Sequence, residues 1–141
     1  MKVREAKAEW SGNLVDGSGE MKLGSGAFEG KYSFASRFEE GSGTNPEELI
    51  GAAHAGCFSM ALSNVLEEEG YEPKKIETDA KVSLDEVEGD YKITGIELIT
   101  EGVVPEIEEK AFLEAAAVAK ENCPVSVALS ATEIELKASL Q

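Results

Sequence analysis

Among the 141 residues, the side chains whose types and spacing point to chemistry are two cysteines, Cys57 and Cys123, the single histidine, His54, and one of two arginines, Arg37. A cysteine becomes a nucleophile as the thiolate, and its pKa of about 8.5 falls only near a helix N-terminus, a cation or a metal. Cys57 lies in "EELIGAAHAGCFSMALSNVLEEEGY". It comes twelve residues after Asn45, about 18 Å along a helix, whereas the dipole effect fades within the first turn. A cation must therefore come from elsewhere. The chain uses lysine eleven times and arginine only at Arg4 and Arg37, so Arg37, in the loop just ahead of the helix, is the candidate activator with its fixed donor fork. The competing reading is a small buried hydrophobe at Cys57 and an exposed loop arginine at Arg37.

His54 precedes Cys57 by three residues and shares its helical face, so a Cys–His pair is conceivable. A core histidine donating to a backbone carbonyl is the preferred reading in so apolar a segment. A metal site of His54, Cys57 and Cys123 would lack a fourth ligand, and there is no CxxC pair or zinc-finger spacing. No cofactor is expected: "GSGEMKLGSG" lacks the spacing and following helix of a dinucleotide loop.

The elements that must position these residues follow from local patterns. The first third reads as strands broken by glycine turns, ending in "KYSFASRF", where apolar residues alternate in "YSFAS". "GSGTNPEEL" is a turn and a helix start, with Thr44 or Asn45 able to cap, Pro46 at the first helical position, and Glu47 and Glu48 near the positive end of the dipole. That helix runs to about Glu69 and Gly70 stops it. It is apolar on every side from Leu49 to Leu66, so it reads as a buried central helix. "KIETDAKVSLDEV" and "YKITGIELITEGVV", joined by "EGD", read as a strand hairpin. "PEIEEKAFLEAAAVAKEN" reads as a second helix with Pro105 at its start, "CPVSVALS" as a short irregular or helical piece, and "TEIELKASL" as a last strand. The order predicts an α+β domain with two main helices packed on strongly antiparallel sheet.

The length suits one domain, 1–141. A net charge of −15, from 28 acidic and 13 basic residues, repels polyanions, so nucleic acid and anionic membrane are not expected as partners. With no apolar signal core in "MKVREAKAEW" and no uninterrupted apolar run of the roughly 18 residues a spanning helix needs, a cytoplasmic location is expected. One chain offers a sheet to only one side of an all-apolar helix. A second copy covering the other side predicts a homodimer with a large apolar interface.

The block "FASRFEEGSGTNPEELIGAAHAGCFSMALS", with the "W.G" at Trp10 to Gly12, "VSLD", and "NCPVS" around the second cysteine, resembles the OsmC/Ohr family of thiol-dependent peroxidases, and its OsmC branch more closely. The resemblance implies an intertwined α+β homodimer with active sites at the subunit interface, acting in oxidative or osmotic stress defence. By that resemblance Cys57 is the peroxidatic cysteine, whose thiolate becomes sulfenic acid, and Cys123 is the resolving cysteine that closes a disulfide with it. Arg37 matches the arginine held near the thiolate, and Glu47 the carboxylate paired with that arginine. Glu47 and Cys57 are ten residues apart, about 15 Å in a straight helix. Either the helix breaks between them or Arg37 and Glu47 reach Cys57 from a partner chain, Gly51 and Gly56 leaving room for a break or a close crossing. The implied substrates are a hydroperoxide and an external dithiol reductant. Phe58, Met60 and Leu62 read as core, and a part of that surface lining an apolar channel would favour organic hydroperoxides over hydrogen peroxide. The alternatives are a non-catalytic redox sensor or small-molecule binding protein using the same cysteine pair, or two structural cysteines.

Overall fold

In the computed structural model, which describes residues 1–141, the chain forms two units, Met1–Leu49 and Ile50–Gln141. The first is built on an antiparallel meander of β1 (Ala6–Ser11), β2 (Ser18–Leu23) and β3 (Glu29–Tyr32). Trp10 and Tyr32 both pair with Gly19, from opposite sides. The absence of a side chain there lets their rings meet with centroids 5.3 Å apart, because a Cβ on Gly19 would lie 2.5 Å from the Tyr32 ring.

"KYSFASRF" does not continue as a strand. β3 ends at Tyr32, and Phe34–Phe38 form a short helix, α1. Ser33 and Ser36 explain the switch: the Ser33 side chain accepts from the Ser36 N–H, and Ser36 Oγ accepts from the Ser33 N–H at 2.9 Å. This reciprocal cap satisfies two orphan donors and outweighs the alternation in "YSFAS". Ser36 Oγ also donates to the Thr44 carbonyl at 2.7 Å, tying the glycine loop back onto α1.

The long helix α2 (Pro46–Glu68) starts at a cap made by Asn45, whose Oδ1 accepts from the Glu48 N–H at 2.8 Å. It ends as expected at Gly70, which has φ 94°, while the Tyr71 N–H bonds back to the Leu66 carbonyl at 3.0 Å. By length and composition alone α2 is long and apolar enough to cross a membrane, a test that the core helix of a folded domain also passes. One side of the helix, carrying His54, Phe58, Leu62 and Leu66, is buried. Ala52, Ala53, Gly56 and Met60, on the other side, are exposed. A single copy thus covers only half of the helix expected to be buried all round.

In the second unit β4 (Lys75–Val87) and β5 (Asp90–Val103) form the expected hairpin. Its two-residue turn has φ 52° at Glu88 and 88° at Gly89, the doubly positive pattern that matches strand twist. Two departures follow. Pro105 does not open the second helix; it opens a turn with Glu106 at φ 67°, and α3 begins at Glu109 and runs to Asn122. The last strand, β6 (Ile134–Leu140), pairs with β5 in parallel, from Ile96↔Ile134 to Gly102↔Leu140. The sheet, in order β4-β5-β6, is therefore mixed. The reason is the connection: α3 and the short α4 (Pro124–Ala128) lie between β5 and β6, and a crossover of that length returns the chain to run parallel.

The core of this unit joins Phe58, Leu62 and Leu66 of α2 to Ile96 and Leu98 of β5 and Phe112 of α3. Each such side chain contributes about 1.5–3 kcal/mol on burial. A hydroxyl chain also links α2 to the sheet: Ser59 donates to Thr78, Thr78 to Thr100, and Thr100 to the Glu77 carbonyl, at 2.8, 2.9 and 3.2 Å.

Candidate functional site

Cys57 sits half-buried on α2, and Cys123 is fully buried at the junction where α3 ends and α4 begins; both are free thiols. The Cys123 backbone N–H closes α3 on the Ala119 carbonyl at 2.9 Å, and its Sγ caps α4 by accepting from the Ser126 N–H at 3.3 Å. Pro124 at the first position of α4 then needs no N–H partner. This double cap holds the Cys123 thiol in the core cluster against which Cys57 packs, near enough to act on the Cys57 titration. Two cysteines far apart in the chain thus meet in one unit.

Burial is the largest influence on Cys57 and pushes its thiol pKa above the ordinary value; the Val125 N–H pulls it down, and the Cys123 sulfur pushes it up again. The net shift is upward, and no cation is among its causes. The activating charge that a reactive thiol requires is not supplied by these neighbours.

His54 is fully buried. Its Nε2 lies 2.7 Å from Ser126 Oγ, so its partner is a serine hydroxyl and not the backbone carbonyl expected from sequence. Ser126 Oγ in turn accepts from Cys123 Sγ at 3.2 Å, which ties the histidine to the second cysteine. The other ring nitrogen, Nδ1, is buried without a partner. Burial holds the His54 pKa below its ordinary value. Sequence reading missed Ser126; the signal was its place three residues after a capping cysteine in "NCPVS", where a helix N–H needs an acceptor.

Arg37 and Glu47 lie in the first unit. Arg37 belongs to the last turn of α1 and not to a loop, and Glu47 to the first turn of α2. Arg37 Nε and Nη2 donate to the two Glu47 oxygens, each at 2.9 Å, in the bidentate geometry that arginine alone provides. Glu47 is 6% exposed. The guanidinium also stands 5.3 Å above the Phe38 ring. The pairing implied by the family resemblance is therefore formed. α2 is unbroken from Pro46 to Glu68, so the helix break considered between Glu47 and Cys57 does not occur.

Comparison with known proteins bears on this arrangement. The chain is 47% identical to the peroxiredoxin OsmC of Escherichia coli (strain K12) over 139 residues, covering 98% of this chain and 96% of the relative. The crystal structure of the organic hydroperoxide resistance protein OhrB of Bacillus subtilis superposes with a TM-score of 0.73 at 28% identity, covering 97% of this chain and 98% of that one. An OsmC-like protein from Mycoplasma pneumoniae shares the fold, with a TM-score of 0.75 at 17% identity over 99% of this chain and 97% of that one. The OsmC-like protein family model matches residues 39–138, a span that holds Glu47, Cys57 and Cys123, and the chain belongs to that family.

Proposed function

We propose that this chain is a cysteine-based peroxidase that reduces organic hydroperoxides, and hydrogen peroxide more weakly, to alcohols and water. The observation that carries the reading is the meeting of Cys57 and Cys123 as free thiols in one core cluster of a chain 47% identical to a peroxiredoxin. In the first step the Cys57 thiolate attacks the peroxide O–O bond; one oxygen stays on sulfur as sulfenic acid and the other leaves and is protonated to the alcohol. Cys123 then displaces hydroxide from Cys57, giving a disulfide and water, and an external dithiol returns both thiols.

Burial pushes the Cys57 thiol pKa upward, and a nearby cation would favour the thiolate that the first step uses. We assign that role to Arg37, oriented by Glu47. Because α2 is unbroken and Glu47 precedes Cys57 on it by ten residues, about 15 Å of rise, the pair that serves Cys57 is assigned to a second copy of the chain. The exposed small and apolar residues Ala52, Ala53, Gly56 and Met60 on α2 support such a homodimer. On this reading residues 1–141 act as one functional domain, in the cytoplasm, where a dithiol pool can recycle the disulfide.

The test is peroxide consumption by the purified protein with cumene hydroperoxide and with hydrogen peroxide, each with dithiothreitol or a monothiol. Many equivalents consumed per Cys57 with dithiol, and none by Cys57→Ser, are expected. Cys123→Ser should oxidise once, accumulate sulfenic acid and over-oxidise. Consumption that stops near one equivalent in the parent would make the pair a redox switch instead.

A further inference from the structure

The buried histidine has no part in the peroxidase reading, yet it is joined to one of its two thiols. We propose that His54, acting through the Ser126 hydroxyl, is the positioning residue and proton acceptor for Cys123 when that thiol attacks oxidised Cys57. This rests on the peroxidase reading for its physiological oxidant and deepens the second step of it.

The buried hydrogen-bond chain carries the inference. Cys123 Sγ donates to Ser126 Oγ at 3.2 Å. A serine hydroxyl holds one hydrogen and two lone pairs, so while its oxygen accepts from the thiol, that hydrogen can be directed at His54 Nε2, 2.7 Å away. The relay uses the tautomer with the ring proton on Nδ1, the buried atom without a partner. Cys123, Ser126 and His54 are 0%, 4% and 0% exposed, so water does not offer the thiol proton another exit. Nδ1 has no partner and Nε2 stands 2.7 Å from the serine oxygen, so Ser126 is the ring's hydrogen-bond neighbour.

The groups around the ring agree with that task. On α2 the nearby titratable group is Cys57, and at the α3–α4 junction it is Cys123. The β4 residues that meet this stretch of α2, at Gly51, are the apolar Ala80 and Val82. Burial is the only influence on the His54 pKa, and it keeps the imidazole neutral and ready to accept.

The step balances. Cys123 sulfur bonds to Cys57 sulfur and the Cys57 S–O bond breaks, releasing hydroxide. The Cys123 proton passes to Ser126 Oγ while the serine proton passes to His54 Nε2. Return of one proton from the relay to hydroxide yields water and restores the neutral ring.

The experiment is a single turnover of the full-length protein with one equivalent of cumene hydroperoxide, quenched with an alkylating agent and read by mass spectrometry. Oxidation of Cys57 depends on peroxide concentration and disulfide closure does not, so the two rates separate. His54→Gln retains a polar side chain but cannot take up a proton; it should slow closure on the order of 100-fold and leave the first rate unchanged. Parent closure should fall in acid with a midpoint below 6.5, the ordinary histidine value, and His54→Gln should lose that limb. Ser126→Ala should slow closure similarly, and Ser126→Thr should restore most of it. If His54→Gln does not fold by circular dichroism, the Ser126 pair decides. Closure at the parent rate with the acid limb intact in the folded variants overturns the relay. Diamide supplies an independent arm: it forms an adduct on Cys57 that Cys123 displaces, without any peroxide. A parent inert to hydroperoxide whose diamide closure still depends on His54 would sink the peroxidase reading and keep the relay.

Discussion

Replacing Arg37 with alanine removes one half of a bidentate ion pair and strands the other half where water reaches it poorly. Both Glu47 oxygens accept from the guanidinium at 2.9 Å, and Glu47 is 6% exposed while the Arg37 side chain is 36% exposed. Breaking a fully buried pair costs about 3–5 kcal/mol, most of it the uncompensated charge. The exposure of Arg37 lets solvent into the space it vacates, so we expect about 2 kcal/mol for Arg37→Ala. Glu47→Ala leaves an arginine that can turn to water and should cost about 1 kcal/mol. The double variant has no orphan charge, and its cost should fall short of the sum of the two by about 1–2 kcal/mol. Urea denaturation of the four proteins at one protein concentration, with a common m-value, measures that coupling. Strict additivity would refute the structural pairing. The same Arg37→Ala protein tests the chemistry: the rate of Cys57 oxidation at neutral pH should fall tenfold for each unit its thiol pKa rises, about 1.4 kcal/mol per unit. Raising the pH should restore deprotonation but not stabilisation of the departing oxygen. An unchanged rate and pH profile would remove Arg37 from the mechanism.

Three further outcomes are expected. Because burial lowers the His54 pKa below its ordinary 6.5, the unfolded chain binds a proton that the folded one refuses, so stability should decline as pH falls below that value, by up to about 1.4 kcal/mol per unit. Urea midpoints from pH 7 to 5 for the parent and His54→Gln would show this slope in the parent in excess of the variant. Gly102→Ala should cost about 1–3 kcal/mol, since its Cβ would stand 2.6 Å from the Phe112 ring; thermal unfolding measures it, and a neutral result would mean that the ring moves aside freely. Met60→Asp places a charge on the exposed side of α2, where Met60 is 77% exposed in a single copy. Sedimentation should show a dimer in the parent and dissociation in the variant, and an unaffected dimer would put the interface elsewhere.

Most of what is legible in the sequence has causes that are themselves local. The bounds of α2 come from Asn45, Pro46 and Gly70, each within a few residues of the end it sets. The β4–β5 hairpin comes from alternation and from Glu88 and Gly89, which accept positive φ. Even α1 is legible in principle, because Ser33 and Ser36 are three apart; the strand alternation of "YSFAS" overlies their cap signal and hides it. Cys57, Cys123, Arg37 and Glu47 stand out through residue type and family resemblance, and the Arg37–Glu47 bond joins residues only ten apart. Tertiary structure decided the rest. The parallel pairing of β6 depends on where α3 and α4 return the chain, which no strand pattern encodes. The partner of His54 is 72 residues away in sequence, and it is Ser126 because the Cys123 cap orients α4 toward α2. The pKa of Cys57 moves upward because burial is a property of the assembled core, although the identity of the thiol is plain from the sequence. Sequence names the groups that can react; packing determines which of them share a proton.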